Sequence, residues 1–383
     1  MFRTRSTLAT AAAASALAVL GTTALTVAAS SAYAGTPQHA VFIETNDATG
    51  NQVIAYERGW DGRLAEVARY RTGGLGGSEP GSAVDPLASQ GALTYDARHH
   101  LLLAVNAGSD TLSVFTVRGA RLRLEQVLST HGKLPTSVGV ARDVVYVLDA
   151  SGDGAISGYR IDHQRLRPIH DSTRSLGLGN ADAPFFLSAP AQVAVTPDAH
   201  DVIVTTKNHN TVVTFPLGHD SRPQTPKVAA SQAPVPFALS FDAAGRLLVV
   251  EASGGASSYT VSRDGTLSVI SSHVANGQKA ACWSVIAKGY VYVANAGSAS
   301  ITGYRDDHGV LSLLDPSGVT ATTDAGPIDL AASSDGRFLY EEATGAGAID
   351  EFAVNADGSL TRIGALTGFT PNNGSGIEGI AAN

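Results

Sequence analysis

The sequence contains very little cysteine and little charge. Of its 383 residues, one is a cysteine (Cys282), and 16% are Asp, Glu, Lys or Arg. A single cysteine excludes a disulfide within the chain and a zinc site built from four cysteines. The net charge of −8, without a run rich in Lys or Arg, argues against a nucleic-acid partner. Low charge together with 41 glycines excludes a coiled coil or a charged disordered chain.

Motifs that mark common catalytic and cofactor sites are also missing. The sequence has no G-x-S-x-G elbow, no H-E-x-x-H pair, no phosphate-binding loop and no EF-hand loop. Its 11 histidines are scattered along the chain. We therefore expect neither a bound metal nor a cofactor.

The first 34 residues differ in composition from the rest of the chain. Arg3 and Arg5 precede a stretch of Ala, Leu and Val, and Ala32-Tyr33-Ala34 has the small-x-small pattern of a signal-peptidase site. This pattern predicts a signal peptide over residues 1–34, followed by a secreted domain over residues 35–383 that has no membrane association. The alternative is an uncleaved anchor helix, although several threonines make the stretch less apolar.

One unit recurs seven times along the remaining chain. Each unit has a β-rich run, then an aromatic residue, then a turn that is often Asp-Gly, the usual signal of a hairpin. This pattern predicts four short antiparallel strands per unit and therefore an all-β, seven-bladed β-propeller. The alternative is an array of two-sheet sandwiches, which do not usually repeat one unit seven times. The recurring aromatics are Tyr56, Phe115, Tyr159, Phe215, Tyr259, Tyr304 and Phe352.

The chain ends and two insertions complete the predicted ring. The first unit lacks an innermost strand, whereas residues 376–381 follow the last unit as an unpaired strand. We expect this C-terminal strand to pair with the N-terminal blade, which leaves no exposed edge. The insertions, residues 72–89 and 170–188, connect one blade to the next, so both belong to the same face and would roof one mouth of the channel.

The third position of the seven innermost strands is predicted to face the channel, because side chains alternate along a strand. Asp329 and Glu378 occupy this position on adjacent blades, where two carboxylates can share a proton or hold a cation. The alternative is that they only solvate the channel wall. The residues of this position-three ring are Ala92, Ser137, Gln192, Ala238, Ser284, Asp329 and Glu378.

Further candidates lie where the second strand of each blade ends. Asn106 and Asn295 begin the same Asn-Ala-Gly-Ser tetrapeptide in two blades, and an Asn at this point either faces a ligand or caps the turn. Lys207 and Glu251 are less easily explained as turn residues.

Two aromatic residues are also candidates, since Trp283 and Phe237 occupy the second position of innermost strands, near the same mouth. They are either a stacking platform for a ligand or packing beneath the insertions.

The repeats resemble a known family. The stretches Asp335-Gly336-Arg337-Phe338-Leu339-Tyr340 and Tyr290-Val291-Tyr292-Val293-Ala294-Asn295 are similar to those of bacterial lactonase-like seven-bladed propellers, which include 6-phosphogluconolactonases and carboxymuconate cyclases and overlap the YVTN-repeat propellers. The resemblance covers residues 35–383, and the sequence is similar to an exported actinobacterial branch of this family. It implies the propeller fold and a lactonase-type activity.

The family's catalytic motif is altered in this sequence. Its enzymes carry Gly-Pro-Arg-His at the start of an innermost strand and Asn-Glu at the end of the next strand. The matching residues here replace Arg by Ala191, His by Gln192 and Glu by Lys207. These replacements remove a cationic anchor and two titratable groups that suit acid–base chemistry.

Two functions therefore remain open at this stage. In the first, the chain hydrolyses a small lactone or cyclic ester at the channel mouth. Glu251, Asp329 or Glu378 would activate water, Gln192, Asn295 or Lys207 would stabilise the oxyanion, and Trp283, Phe237 and Asn106 would contact the ligand. In the second, a non-catalytic extracellular propeller binds a protein, peptide or glycan on the same face. We expect a monomer in either case.

Overall fold

The computed structural model describes residues 39–183, 185–371 and 376–383. The predicted signal peptide, residues 1–34, lies outside the described residues. Within them the chain forms 30 β-strands and two short 3-10 turns, Ala107–Ser109 and Lys207–His209. No helix in the described ranges is long and apolar enough to cross a membrane.

The strands form seven separate antiparallel sheets, which we number as blades in chain order. Blades 1 to 4 contain β1 (Ala40–Glu44), β2 (Gln52–Arg58) and β3 (Leu64–Arg71); β4 (Leu93–Asp96), β5 (Leu101–Asn106), β6 (Thr111–Arg118) and β7 (Arg121–Ser129); β8 (Pro135–Ala141), β9 (Val144–Asp149), β10 (Ala155–Asp162), β11 (Arg165–Pro168) and β12 (Arg174–Ser175); and β13 (Gln192–Val195), β14 (Asp201–Thr205), β15 (Thr211–Pro216) and β16 (Lys227–Ala230). Blades 5 to 7 contain β17 (Pro236–Phe241), β18 (Leu247–Glu251), β19 (Gly255–Val261) and β20 (Leu267–Ala275); β21 (Ala281–Ala287), β22 (Tyr290–Asn295), β23 (Ser300–Asp307), β24 (Val310–Leu313) and β25 (Ala321–Thr322); and β26 (Pro327–Ala332), β27 (Phe338–Ala343), β28 (Ala348–Val354) and β29 (Leu360–Thr367).

The predicted seven-bladed propeller is confirmed. In blades 2 to 7 the first four strands pair in chain order, from an innermost strand at the channel to an outer strand at the rim. The innermost strands of neighbouring blades contact one another around the ring. Blades 3 and 6 each have a fifth short strand, β12 and β25, which pairs with the third strand beyond the end of the fourth.

The ring is closed by both chain ends, as the sequence predicts. The last strand, β30 (Ile380–Ala382), pairs antiparallel with β1 and supplies the innermost strand of blade 1. The Asn383 side chain extends this seam, because its Oδ1 accepts a hydrogen bond from the Ala40 N–H at 2.6 Å. Gly379 precedes β30 with a φ of +95°, and a Cβ there would lie 2.8 Å from the Leu93 nitrogen of blade 2. Glycine is therefore required where the closing strand approaches its neighbour.

The core lies between the blades, and tyrosine hydroxyls connect its layers. The recurring aromatics Tyr159 and Tyr304 are fully buried, and their hydroxyls donate to the Ser129 and Val274 carbonyls of the preceding blades at 2.8 and 3.0 Å. Burying a side chain of this size contributes about 1.5–3 kcal/mol, provided that its polar atom keeps a partner. The recurrence that reveals the repeat in the sequence therefore has a packing cause.

Antiparallel pairing gives the propeller two distinct faces. One face carries the connections between blades and the loops between second and third strands. We call it the insertion face, because both insertions belong to it. The opposite face carries the turns between first and second strands, such as residues 97–100 and 196–200, and we call it the open face.

Candidate functional site

The first insertion crosses the channel mouth on the insertion face. Ser89 and Gln90 lead into blade 2, yet they bond to blade 6, which is not its neighbour. The Ser89 carbonyl accepts the indole N–H of Trp283 at 2.8 Å. The Gln90 amide bonds both backbone groups of Ser284, accepting from its N–H at 2.9 Å and donating to its carbonyl at 2.7 Å. The insertion thus roofs the mouth, as the sequence predicts, and seals it.

A buried aspartate holds this crossing segment in shape. The Asp85 carboxylate accepts the backbone N–H groups of Leu87, Ala88 and Ser89 at 2.9, 2.6 and 3.0 Å. The Ser89 hydroxyl in turn donates to the Thr136 carbonyl of blade 3 at 2.8 Å. One side chain therefore bonds three consecutive backbone N–H groups of this buried segment. We call residues 84–91 the plug.

The second insertion packs on the first. The Phe186 N–H donates to the Pro80 carbonyl at 3.1 Å, and the Leu187 carbonyl accepts the Asn208 N–H at 3.0 Å. The Phe185 ring lies directly over Gly81, where a Cβ would collide with it. Both insertions therefore form one cover over the insertion face.

The predicted ligand-binding residue Lys207 is buried beneath this cover. Its side chain is 0% exposed, and its ammonium group lies 3.3 Å from Glu79 Oε2 and donates to the Ala88 carbonyl at 2.8 Å. It also lies 5.8 Å from the centroid of the Phe237 ring. Burial raises the pKa of Glu79 to about 8, and the Lys207 charge opposes that shift. Lys207 thus ties the first insertion to blade 4.

Four carboxyl groups meet where the plug reaches the C-terminal segment. Glu378, a predicted catalytic residue, hydrogen bonds to Asp85, and its Oε2 accepts the Leu87 N–H at 3.3 Å. Burial raises the pKa of both carboxyls, and the Asp85 charge raises that of Glu378 further. Glu342 and Glu44 complete the group, and burial raises the pKa of each well above its usual range. The plug therefore rests on a group of buried carboxyls whose pKa values are all raised.

The other candidates at the second-strand ends have partners inside their own blades. Glu251 accepts from the Ser257 hydroxyl at 2.6 Å and lies 3.4 Å from His273 Nδ1. Asn106 donates to the Ser113 hydroxyl at 2.8 Å, and Asn295 donates to the Thr302 hydroxyl at 2.9 Å. All three candidate side chains are fully buried.

The two aromatic candidates pack beneath the plug. Trp283 and Phe237 form an edge-to-face pair with ring centroids 5.1 Å apart, and both are nearly fully buried. The neighbouring Cys282 is buried as well, and burial raises the pKa of its thiol. The described residues contain no group of three or more His, Cys, Asp or Glu side chains placed to hold a metal ion.

Members of the position-three ring bond neighbouring innermost strands to each other. The Gln192 amide accepts the Leu239 N–H at 2.6 Å and donates to the Leu239 carbonyl at 3.2 Å. Asp329 accepts from the N–H groups of Leu330, at 2.9 Å, and of Ile380. Ser137 likewise accepts the Val193 N–H at 3.2 Å. These side chains therefore join blades 4 to 5, 7 to 1 and 3 to 4.

Among the described residues, the plug covers the channel on the insertion face, and the open face gives access to it. The innermost strands enclose a cavity of about 400 Å³, whose described lining includes Gln192, Ser240, Ser284 and Asp329 but no Lys, Arg or His. The Ser240 and Ser284 hydroxyls lie 2.9 Å apart. Burial raises the pKa of Asp329 to about 7. Of the three predicted catalytic carboxyls, Asp329 alone lines this cavity; Glu251 and Glu378 do not.

The sequence interpretation did not include Glu79 and Asp85. Both lie in the irregular first insertion, outside the repeat, so comparing the blades gives no equivalent position for them. The available signal was composition, since two acidic residues interrupt a segment rich in Gly, Ser and Pro. Such a residue is often placed there to bond the backbone of its own loop.

Comparison with known proteins supports the fold. No family model matches the sequence, and no curated protein matches it. Among solved structures, a candidate 6-phosphogluconolactonase from Bacteroides fragilis has a TM-score of 0.69 at 17% identity and covers 91% of this chain and 98% of its own. Another from Bacteroides uniformis has a TM-score of 0.68 at 16% identity, covering 91% and 100%. The periplasmic gluconolactonase of Pseudomonas aeruginosa has a TM-score of 0.62 at 15% identity, covering 90% and 98%. The chain therefore has the seven-bladed propeller fold of the 6-phosphogluconolactonase-like proteins, as its repeats predict.

Proposed function

We propose that this chain is an exported binding propeller, and that its ligand is a small, uncharged, hydroxyl-rich molecule that enters the central channel from the open face. The observation that carries the proposal is the cavity of about 400 Å³, which is closed by the plug at one end and accessible at the other. A volume of this size suits a small molecule rather than a peptide or glycan chain. Export rests on the signal-like pattern of residues 1–34.

The chemistry of the lining favours an uncharged ligand. The polar side chains that face the cavity include the Ser240 hydroxyl, the Gln192 amide and the Asp329 carboxyl. A phosphate group is normally held by Arg or Lys, and the described lining offers neither. Hydroxyl groups, in contrast, can donate to Asp329 and exchange hydrogen bonds with serine hydroxyls. We therefore expect an unphosphorylated sugar acid lactone or polyol to bind in preference to its phosphorylated form.

Titration calorimetry with paired ligands tests this proposal. The purified protein would be titrated with gluconolactone, its hydrolysed acid and the corresponding 6-phospho compounds. We expect the uncharged lactone to bind most tightly and Asp329→Asn to weaken binding. Asp149→Asn is the matched control, because Asp149 is also a buried carboxyl with a pKa raised to about 8 but lies outside the channel lining. Tighter binding of a phosphorylated compound, or equal effects of the two substitutions, would contradict the proposal.

A second candidate function is hydrolysis of a small lactone in the same cavity. One observation favours it: Asp329 faces the cavity with a pKa of about 7, which suits a general base near neutral pH. Asp329 would take a proton from water as the water attacks the lactone carbonyl, and the proton would pass to the ring oxygen as the acyl–oxygen bond breaks.

The rate of lactone opening would distinguish catalysis from binding. If Asp329 is the base, turnover should rise as the pH increases through about 7, since only the ionised carboxylate accepts a proton. Asp329→Asn should then abolish turnover, while Asp149→Asn should retain it. Binding without turnover would leave the first function and exclude the second.

A further inference from the structure

A second cavity lies between blades 4 and 5 on the open face, at a position where the repeat is broken. In every blade, one residue of the second strand pairs with the recurring aromatic of the third strand. We compare the residue that immediately precedes this partner in the sequence. In blade 4 this residue is Asp201, because Val202 pairs with Phe215. The equivalent residues of the other blades are Ala40, Leu101, Val144, Arg246, Tyr290 and Phe338. Five of these six are apolar, so a carboxylate replaces the usual core residue.

The packing at this position differs between blades 4 and 6. In blade 6 the Tyr290 ring lies beneath the hairpin glycine of the next blade, where a Cβ on Gly358 would come within 2.8 Å of it. Asp201 occupies the same place beneath Gly265, with its Oδ1 3.3 Å from the corresponding Cβ position. Asp201 also lines a cavity of about 360 Å³, which is bounded by residues 196–198, 243–245 and 261–263 and by Arg142.

The Asp201 carboxylate lacks a partner in this cavity. The residue is only 3% exposed, and its Oδ1 accepts no hydrogen bond from any described residue. Burial raises the pKa of Asp201 to about 6, and the charges of Asp198 and Asp264 raise it further while that of His200 lowers it. A buried carboxylate without a donor is costly, so a donor supplied by a ligand would be strongly favoured.

Two arginines add an anion-binding element at the rim. Arg142 and Arg263 line the cavity and are exposed, and neither forms an ion pair with a described residue. Asp198 is already engaged, since it accepts from Thr196 and lies 3.0 Å from His200 Nδ1. The cavity thus combines a buried negative group with two positive groups at its opening, and its walls include Pro197 and Val261.

We propose that this cavity binds a small amino carboxylate, with its ammonium group on Asp201 and its carboxylate towards Arg142 and Arg263. A simple amine would satisfy Asp201 but would face the two arginines without a counter-charge. A simple carboxylate would satisfy the arginines but leave Asp201 unpaired. The zwitterion meets both requirements, and 360 Å³ suits a molecule of amino-acid size.

Calorimetric titration with 4-aminobutyrate, butylamine and butyrate separates these chemistries. We expect wild-type protein to bind 4-aminobutyrate more tightly than either single-charge analogue. Asp201→Asn should weaken that binding at least tenfold, because it removes the buried charge with little change of volume. Asp220→Asn is the control, since Asp220 is exposed and pairs with Arg222 outside the cavity. Binding should also weaken as the pH falls below about 6, where Asp201 is protonated.

Asp201→Leu provides an independent measurement, because it places an apolar residue at this position, as in five of the six other blades. We expect it to raise the melting temperature and abolish 4-aminobutyrate binding. The proposal is overturned if 4-aminobutyrate fails to bind the wild type at millimolar concentration, if Asp201→Asn binds it as tightly as the wild type does, or if butyrate binds equally well.

Discussion

The folded protein should lose stability as the pH rises from about 5 to about 8, whereas acidification destabilises most proteins. Burial raises the pKa of Asp329 to about 7 and the pKa values of Glu79 and Asp149 to about 8. In this range the folded protein keeps protons that the unfolded chain has released. Because the unfolded state binds fewer protons, the free energy of unfolding decreases with increasing pH.

Asp329 provides the clearest magnitude. Its pKa rises from 3.8 to about 7, which corresponds to about 4 kcal/mol of stability that is present in acid and lost as the pH passes through 7. Between about pH 5 and pH 7 the difference is close to one proton, or roughly 1.4 kcal/mol per pH unit. Asp329→Asn mimics the protonated carboxyl, so it should remove that slope and leave the contributions of the other acids.

Urea denaturation across this pH range measures the effect directly. The wild type and Asp329→Asn would be unfolded at several pH values, with Asp264→Asn as the control, because Asp264 is fully exposed and its pKa is lowered by the Ser262 and Thr266 side chains. The control should keep the wild-type slope. The reasoning is refuted if wild-type stability increases with pH over this interval, or if Asp329→Asn retains the wild-type slope.

Two further predictions concern the plug and the closing strand. Lys207→Met should lower the free energy of unfolding by about 1–3 kcal/mol, because it removes the donor of two buried groups, the Glu79 carboxyl and the Ala88 carbonyl. Adding Glu79→Gln should recover part of the loss, which a double-mutant cycle in urea would detect; additive effects would argue against the pairing. Deleting residues 380–383 should expose the edge of β1, and size-exclusion chromatography should then show association. A truncated protein that stays monomeric and equally stable would contradict the role of β30.

The fold could be predicted from the sequence because its signals are local and repeated. Each recurring aromatic is buried between blades, and each Asp-Gly turn reverses the chain at a hairpin, so seven copies reinforce one interpretation. Closure could also be inferred, because residues 376–381 have the pattern of an innermost strand that the first blade lacks. These features depend on periodicity, which a single sequence reports directly.

The site could be predicted only in part, because the path of the first insertion depends on contacts distant in sequence. Gln90 meets Ser284 across 194 residues, and Lys207 meets Glu79 across 128. Nothing in the local sequence of the insertion indicates that it crosses the channel rather than standing beside it. The interpretation therefore identified the roofed face but could not determine that the plug seals the mouth.

The position-three ring shows why facing a channel differs from being available to a ligand. Alternation along a strand predicts seven inward-facing residues, of which Gln192, Ser284 and Asp329 line the cavity, but it does not show how their hydrogen-bonding capacity is used. Both ends of the Gln192 amide are already bonded to Leu239, whereas Asp201 has an oxygen without a donor. Asp201 could also have been identified from the sequence. When the starts of the second strands are aligned, it is a carboxylate among mostly apolar equivalent residues. In a repeat protein, a polar residue that breaks the pattern of its own position is more informative than a polar residue in a ring where several blades are polar.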